Sequence, residues 1–166
     1  MRIFEEEQRF NQWWLFAIYM FVFAVLGIAI YKNSDGFTNF HSPVLVLSLL
    51  AVAIPMGLIL WMQLITRIDH EGIRVKFFPF GFSEKFFQWK QIKECYVRKY
   101  NPLTEYGGWG IRGIGKKKAY NVSGYFGIQI VTRDGRSFLI GTVKPEEARM
   151  VLLNYQHKIN NNNSNI

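Results

Sequence analysis

The residues with the greatest capacity for chemistry lie between Tyr106 and Lys118. The stretch reads Tyr106-Gly107-Gly108-Trp109-Gly110-Ile111-Arg112-Gly113-Ile114-Gly115, then Lys116, Lys117 and Lys118. Glycine accepts positive φ, so successive backbone N–H groups there can turn into one concavity that suits an anion. Arg112 would add a two-pronged guanidinium, and Lys116, Lys117 and Lys118 mobile point charges. These four cations are the candidate site for a phosphate or lipid headgroup. Tyr106, Gly107, Gly108, Trp109 and Gly110 form its loop. The competing reading is that the glycines only let strands turn sharply, with Trp109 packed inside.

Two phosphate motifs overlap this stretch, and neither is complete. Gly108 to Gly113 fits G-x-G-x-x-G, which requires a strand before it, a helix after it and an acidic residue about 20 positions on. Gly115 and the three lysines leave no helix, and Asp134 belongs to a turn. Gly110 to Lys116 fits G-x-x-x-x-G-K, but Lys117 stands where a Ser or Thr would hold magnesium. Cys95, the single cysteine, has no His or Asp near it in sequence and reads as a small packed residue. His41, His70 and His157 lack metal-ligand spacing. Tyr96, Tyr100, Tyr106 and Tyr120 could stack bases but suit an aromatic core better. Catalytic residues, metals, cofactors and a nucleic-acid partner are therefore not expected.

The elements that must position this stretch fall into two parts. Trp13 to Tyr31 holds no charged side chain, and neither does Gly36 to Thr66. A bilayer core about 30 Å thick takes about 20 apolar residues as helix. Residues 13–66 are therefore expected as a two-helix transmembrane hairpin, with Trp13, Trp14, Tyr31 and Trp61 at the water–lipid boundaries and a kink near Pro55. Residues 1–12 read as an interfacial lead-in, with Ile3, Phe4 and Phe10 on lipid and Glu5 to Gln8 in water. Arg2, Arg9, Arg67, Arg74 and Lys76 flank the hairpin, whereas the loop from Lys32 to Ser42 holds only Lys32. That asymmetry predicts both termini on the cytoplasmic side. From Arg67 onward lie 17 of the 20 Lys and Arg but eight of the 12 acidic residues, a net charge of +9. Beside a bilayer, such charge favours an anionic inner leaflet.

Beyond Arg67 the apolar period changes from helical to two. Ile73, Val75 and Phe77 alternate with Arg74 and Lys76, Glu71-Gly72 marks a tight turn, and Asp134-Gly135 signals a two-residue hairpin. Further strands are expected over 86–89, 92–100, 119–122 and around Ile128 and Ile140, with Trp89 and Ile92 anchoring the core. Pro145, Glu146 and Glu147 open a final helix with Ala148, Val151, Leu152, Tyr155 and Ile159 on one face, and His157 and Lys158 in its last turn. Residues 160–166 are Asn-rich and expected to be disordered.

The pattern resembles a pleckstrin-homology-like (PH-like) domain, a bent barrel of about seven antiparallel strands closed by a C-terminal helix. More closely it is similar to small bacterial membrane proteins that carry this domain after a two-helix hairpin. The matching residues are Glu7-Gln8-Arg9-Phe10 with Trp13-Trp14, Glu71-Gly72-Ile73, Trp89 with Ile92, and Glu105 through Arg112. Ala119 through Gly124, Ile140-Gly141-Thr142 and Lys144-Pro145-Glu146 complete the match. The resemblance implies a fold over residues 67–159 and an inner-membrane location, and no ligand or catalytic residue. The expected function is that of a non-enzymatic inner-membrane protein whose cytoplasmic domain binds anionic headgroups or a protein partner. The alternatives are an accessory subunit of a larger transporter-like complex, a homo-oligomer, or an enzyme acting on lipid.

Overall fold

The computed structural model describes residues 3–33, 43–79 and 84–163. The chain divides into two compact units, Phe10–Trp61 and the combination of Met1–Arg9 with Met62–Ile166.

The first unit is helical. α1 spans Trp13–Asn33, 21 residues or about 31 Å at 1.5 Å per residue. By length and composition Trp13–Lys32 suffices to cross a membrane, and none of that window is buried. α2 spans Pro43–Trp61 and runs through Pro55. Val46–Trp61 is its apolar stretch among the residues whose side chains are described. Most of the expected loop, residues 34–42, lies outside the described residues.

The second unit holds two sheets and two helices. The first sheet has the order β1-β2-β3-β4: Phe4–Arg9, Gln63–Ile68, Gly72–Phe78 and Lys85–Gln88, all antiparallel. A 3-10 turn, Trp89–Gln91, leads into β5, Ile92–Lys99. After the short helix α3, Pro102–Tyr106, come β6 (Gly110–Arg112), β7 (Lys117–Asn121), β8 (Phe126–Thr132) and β9 (Ser137–Thr142). The second sheet has the order β5-β8-β9-β7-β6, and its β7–β9 pair is parallel. Nine strands in two sheets thus replace the expected seven antiparallel strands, and among the described residues the ladders do not close into a barrel. The parallel pair arises because β8 separates β7 from β9 along the chain: β8 reverses direction, β9 reverses it again, and β9 then lies between β8 and β7 in the sheet.

The strand expected least is β1. Within the expected lead-in 1–12, Phe4 to Arg9 form a strand instead, pairing with Ile68 to Gln63, residue for residue. Phe4, Glu6 and Gln8 face inward. Two of these three are polar, which hides the period-two signal. Likewise the ladder starts at Gln63 rather than Arg67, because Leu64 and Thr66 are buried in register with Phe77 and Val75.

The remaining elements follow their patterns. Ile73, Val75, Phe77, Ile92, Ile128, Ile130, Leu139 and Ile140 are fully buried. α4, Pro145–Asn163, buries Ala148, Val151, Leu152, Tyr155 and Ile159, and packs against β5 and the 3-10 turn. Trp89 stacks on Tyr155 at 5.1 Å, and its indole N–H donates to the Asp69 carbonyl at 3.0 Å. The helix runs on through Asn163, so His157 and Lys158 lie inside it and residues 160–163 are helical. Asn is only a weak helix former, not a breaker like Gly or Pro. Residues 164–166 lie outside the described residues. Between β8 and β9 the turn is closed by Gly135 at φ 77°, its N–H donating to the Thr132 carbonyl at 3.0 Å. Asp-Gly marks this turn correctly, but the loop from Arg133 to Arg136 is longer than the two residues expected.

Candidate functional site

The glycine-rich stretch is held by the second sheet. Asn101 caps α3 by accepting from the N–H groups of Leu103 and Thr104, and Gly107 ends it at φ 72°. The N–H groups of Gly107 and Gly108 donate to the carbonyls of Leu103 and Pro102. Gly110 N–H donates to Asn121 Oδ1 at 2.9 Å, and Asn121 Nδ2 donates to the Tyr100 hydroxyl at 3.0 Å. These three backbone amides are committed within the chain, so they do not line an anion cradle. Asn121 is fully buried and is the anchor of the stretch. Arg112 folds back over it, its Nε donating to the Trp109 carbonyl at 2.8 Å. Trp109 is half-buried. A strand, β7, follows, so neither phosphate motif has the helix it needs.

Burial pushes the Tyr100 phenol up to about 12 from its ordinary 10. A phenol whose pKa is raised on folding contributes stability that is complete below the unfolded value and is lost as pH rises through the folded one. Tyr100→Phe is therefore expected to flatten the fall in stability between pH 10 and 12 seen by chemical denaturation.

The three consecutive lysines do not act as a cluster. Successive residues of a strand face opposite sides. Lys117 lines an outer groove of about 700 Å³ with Tyr96, Arg98 and Tyr106. There Arg98 pairs with Glu105 at 2.8 Å and donates to Gln129 Oε1 at 2.9 Å. The hydrogen bond to Glu105 raises the Arg98 pKa, and its counterpart lowers that of Glu105. Lys118 faces the other way, into a groove of about 660 Å³.

That second groove gathers three segments that are distant in sequence. β4 and the 3-10 turn bring Lys85, Phe86, Phe87 and Lys90; the turn into β7 brings Gly115 and Lys118; the β8–β9 hairpin brings Arg133, Asp134 and Arg136. Backbone hydrogen bonds fix these walls: Arg133 N–H donates to the Gln91 carbonyl at 3.0 Å, and Ser137 N–H to the Lys116 carbonyl at 2.7 Å. Phe87 and Phe138 make an apolar floor, their rings 4.7 Å apart. Five basic side chains and one carboxylate line the groove. Arg136 and the Thr132 hydroxyl hold the Asp134 carboxyl well below the usual carboxylate range, so it stays ionised and committed to them. Clustered like charges of this kind raise the local potential and concentrate anions. The arrangement suits an anionic group with an apolar portion attached.

Of the residues expected at the site, the structure brings only Lys118 into this groove; Arg112 and Lys117 lie elsewhere. Lys85, Lys90, Arg133 and Arg136 carry no local motif, and only the fold unites them. The Cys95 thiol is partly buried, and burial pushes its pKa up, which disfavours a thiolate nucleophile. Among the described residues, no group of three or more His, Cys, Asp and Glu could hold a metal ion. No family model, curated protein or solved structure matches this chain.

Proposed function

We propose that this chain is a non-enzymatic protein of a bacterial inner membrane, anchored by a two-helix hairpin, whose PH-like cytoplasmic unit binds anionic lipid headgroups. The observation that carries the reading is the groove of Lys85, Lys90, Lys118, Arg133 and Arg136 over Phe87 and Phe138. Phosphate oxygens would meet the cations, and glycerol or acyl carbons the rings.

The hairpin reading gains support from the β1–β2 ladder. A ladder cannot be completed through a bilayer, where every polar backbone group must be satisfied locally. Arg9 and Gln63 are partners, so residues 10–62 leave and return on one side. Any crossings are then even in number: if α1 spans the bilayer, α2 is its return. The basic residues at both flanks of the helices fit a cytoplasmic unit.

The test uses full-length protein in nanodiscs of phosphatidylcholine, titrated calorimetrically with short-chain phosphatidylglycerol, short-chain phosphatidylcholine and inorganic phosphate. A well-placed Lys near an anionic surface contributes about 1 kcal/mol. Lys90→Ala with Lys118→Ala is expected to weaken phosphatidylglycerol binding about 30-fold. Inorganic phosphate should bind more weakly still, since it cannot use the rings. Equal affinity of wild type and double variant would remove the groove from the account.

A further inference from the structure

One side chain outside the groove is exposed beyond what chance packing explains. Ile114 is 94% exposed, more than any other large apolar residue described; the nearest values, 79% at Trp13 and 71% at Met20, belong to α1. It sits at the tip of the β6–β7 connection, between Gly113 at φ 98° and Gly115 at φ 65°. The tip has a defined shape: Lys117 N–H turns back toward the Ile114 carbonyl at 3.4 Å, and a Cβ at Gly113 would lie 2.2 Å from the Lys117 carbonyl oxygen. Glycine is thus required on one side of an isoleucine that is held out in water.

The charge around the tip is mainly positive, and the two carboxylates beside it, Glu105 and Asp134, are paired with Arg98 and Arg136. Arg112, Lys116, Lys117 and Lys118 flank it, and from Tyr106 to Arg133 the sequence contains no acidic residue. Gly115 and Lys118 also share the groove with Arg133 and Arg136. An apolar point ringed by cations is complementary to a surface that is anionic outside and oily beneath. A protein partner would have to present an acidic rim around an apolar socket, an outcome that the label below distinguishes from lipid.

We infer that the 112–118 tip is a membrane-insertion element: Ile114 enters the acyl boundary of an anionic leaflet while Arg112, Lys116 and Lys117 engage phosphate oxygens. The inference rests on the headgroup reading above and adds a second contact, made by Ile114, Arg112, Lys116 and Lys117, none of which lines the groove. It makes the orientation of the unit on the bilayer depend on lipid charge.

The experiment places a fluorescent NBD label on Ile114→Cys, in a Cys95→Ala background, in the full-length protein. The chain is assembled into nanodiscs of phosphatidylcholine alone or with one quarter phosphatidylglycerol, with doxyl-labelled phosphatidylcholine as quencher. The expected result is a blue-shifted emission and at least about twofold more quenching in the phosphatidylglycerol discs, both abolished by Lys116→Glu with Lys117→Glu. A water-like, unquenched label in those discs overturns the inference while leaving the groove untouched. A blue shift without quenching by lipid reports a protein contact and also overturns it. A chain that does not co-elute with discs removes the membrane anchor, and this inference with it.

Discussion

Glu6→Ala is expected to destabilise the β-rich unit by about 3 kcal/mol, lowering its thermal midpoint by about 10 °C or more. Glu6 is 3% exposed, and its carboxylate accepts from the Thr142 hydroxyl at 2.6 Å and from the Val143 N–H at 2.8 Å. Beside it Gln8 Nε2 donates to the Gly141 carbonyl at 2.8 Å. These bonds tie β1, the edge of the first sheet, to the end of β9 in the second. Hydrogen bonds to a charged group contribute about 1.5–3 kcal/mol, and truncation deprives two donors of a buried acceptor. Glu6→Gln keeps an acceptor and the volume, so it should lose less than half as much. The measurement is thermal unfolding of the full-length protein in detergent, followed by near-ultraviolet dichroism. An unchanged midpoint for Glu6→Ala would show that the tie contributes nothing.

Gly72→Ala is expected to cost about 3–4 kcal/mol and to distort the proposed headgroup groove as well. A Cβ at Gly72 would lie 2.1 Å from the Phe87 carbonyl oxygen, 2.9 Å from its carbon and 3.0 Å from Gln88 Cα. All three are backbone atoms, so no side chain can move aside. β3 and β4 must separate where Gly72 pairs with Gln88. That displaces Phe87 and Lys85 from the groove, and it strains the Trp89 N–H bond to the Glu71 carbonyl, 3.4 Å long. Gly57→Ala in α2 is the control, since nothing lies within 4 Å of a Cβ there. Chemical denaturation should separate the two variants clearly, and equal midpoints would mean the sheet edge yields without cost.

The sequence shows the parts whose chemistry is local. The apolar face of α4, the β2–β3 turn at Glu71-Gly72 and the anchors Trp89 and Ile92 each follow from a short window with one period. β1 escapes because its inner face reads Phe4, Glu6, Gln8, and its partner lies beyond a helical insertion. Thr142 and Val143 satisfy the Glu6 carboxylate there, and the Gly141 carbonyl takes the Gln8 side-chain N–H, facts available only in three dimensions. The groove escapes for the same reason. Lys116 to Lys118 look like one cluster along the chain, but pleating sends Lys117 and Lys118 into different grooves. Asn121, which enters the sequence reading only within the Ala119 through Gly124 match, proves to be the buried amide that orients Gly110.

The β1–β2 pairing also sets an order of events during synthesis. The ribosome delivers Phe4–Arg9 well before Gln63–Ile68, so the first strand emerges with no template and must wait. Only a nascent chain whose intervening segment has doubled back can finish that ladder and then engage Thr142 and Val143 through Glu6. Until Gln63–Ile68 has been made, Phe4–Arg9 remains an unmated strand edge, so the first sheet is completed only when segments far apart in synthesis meet.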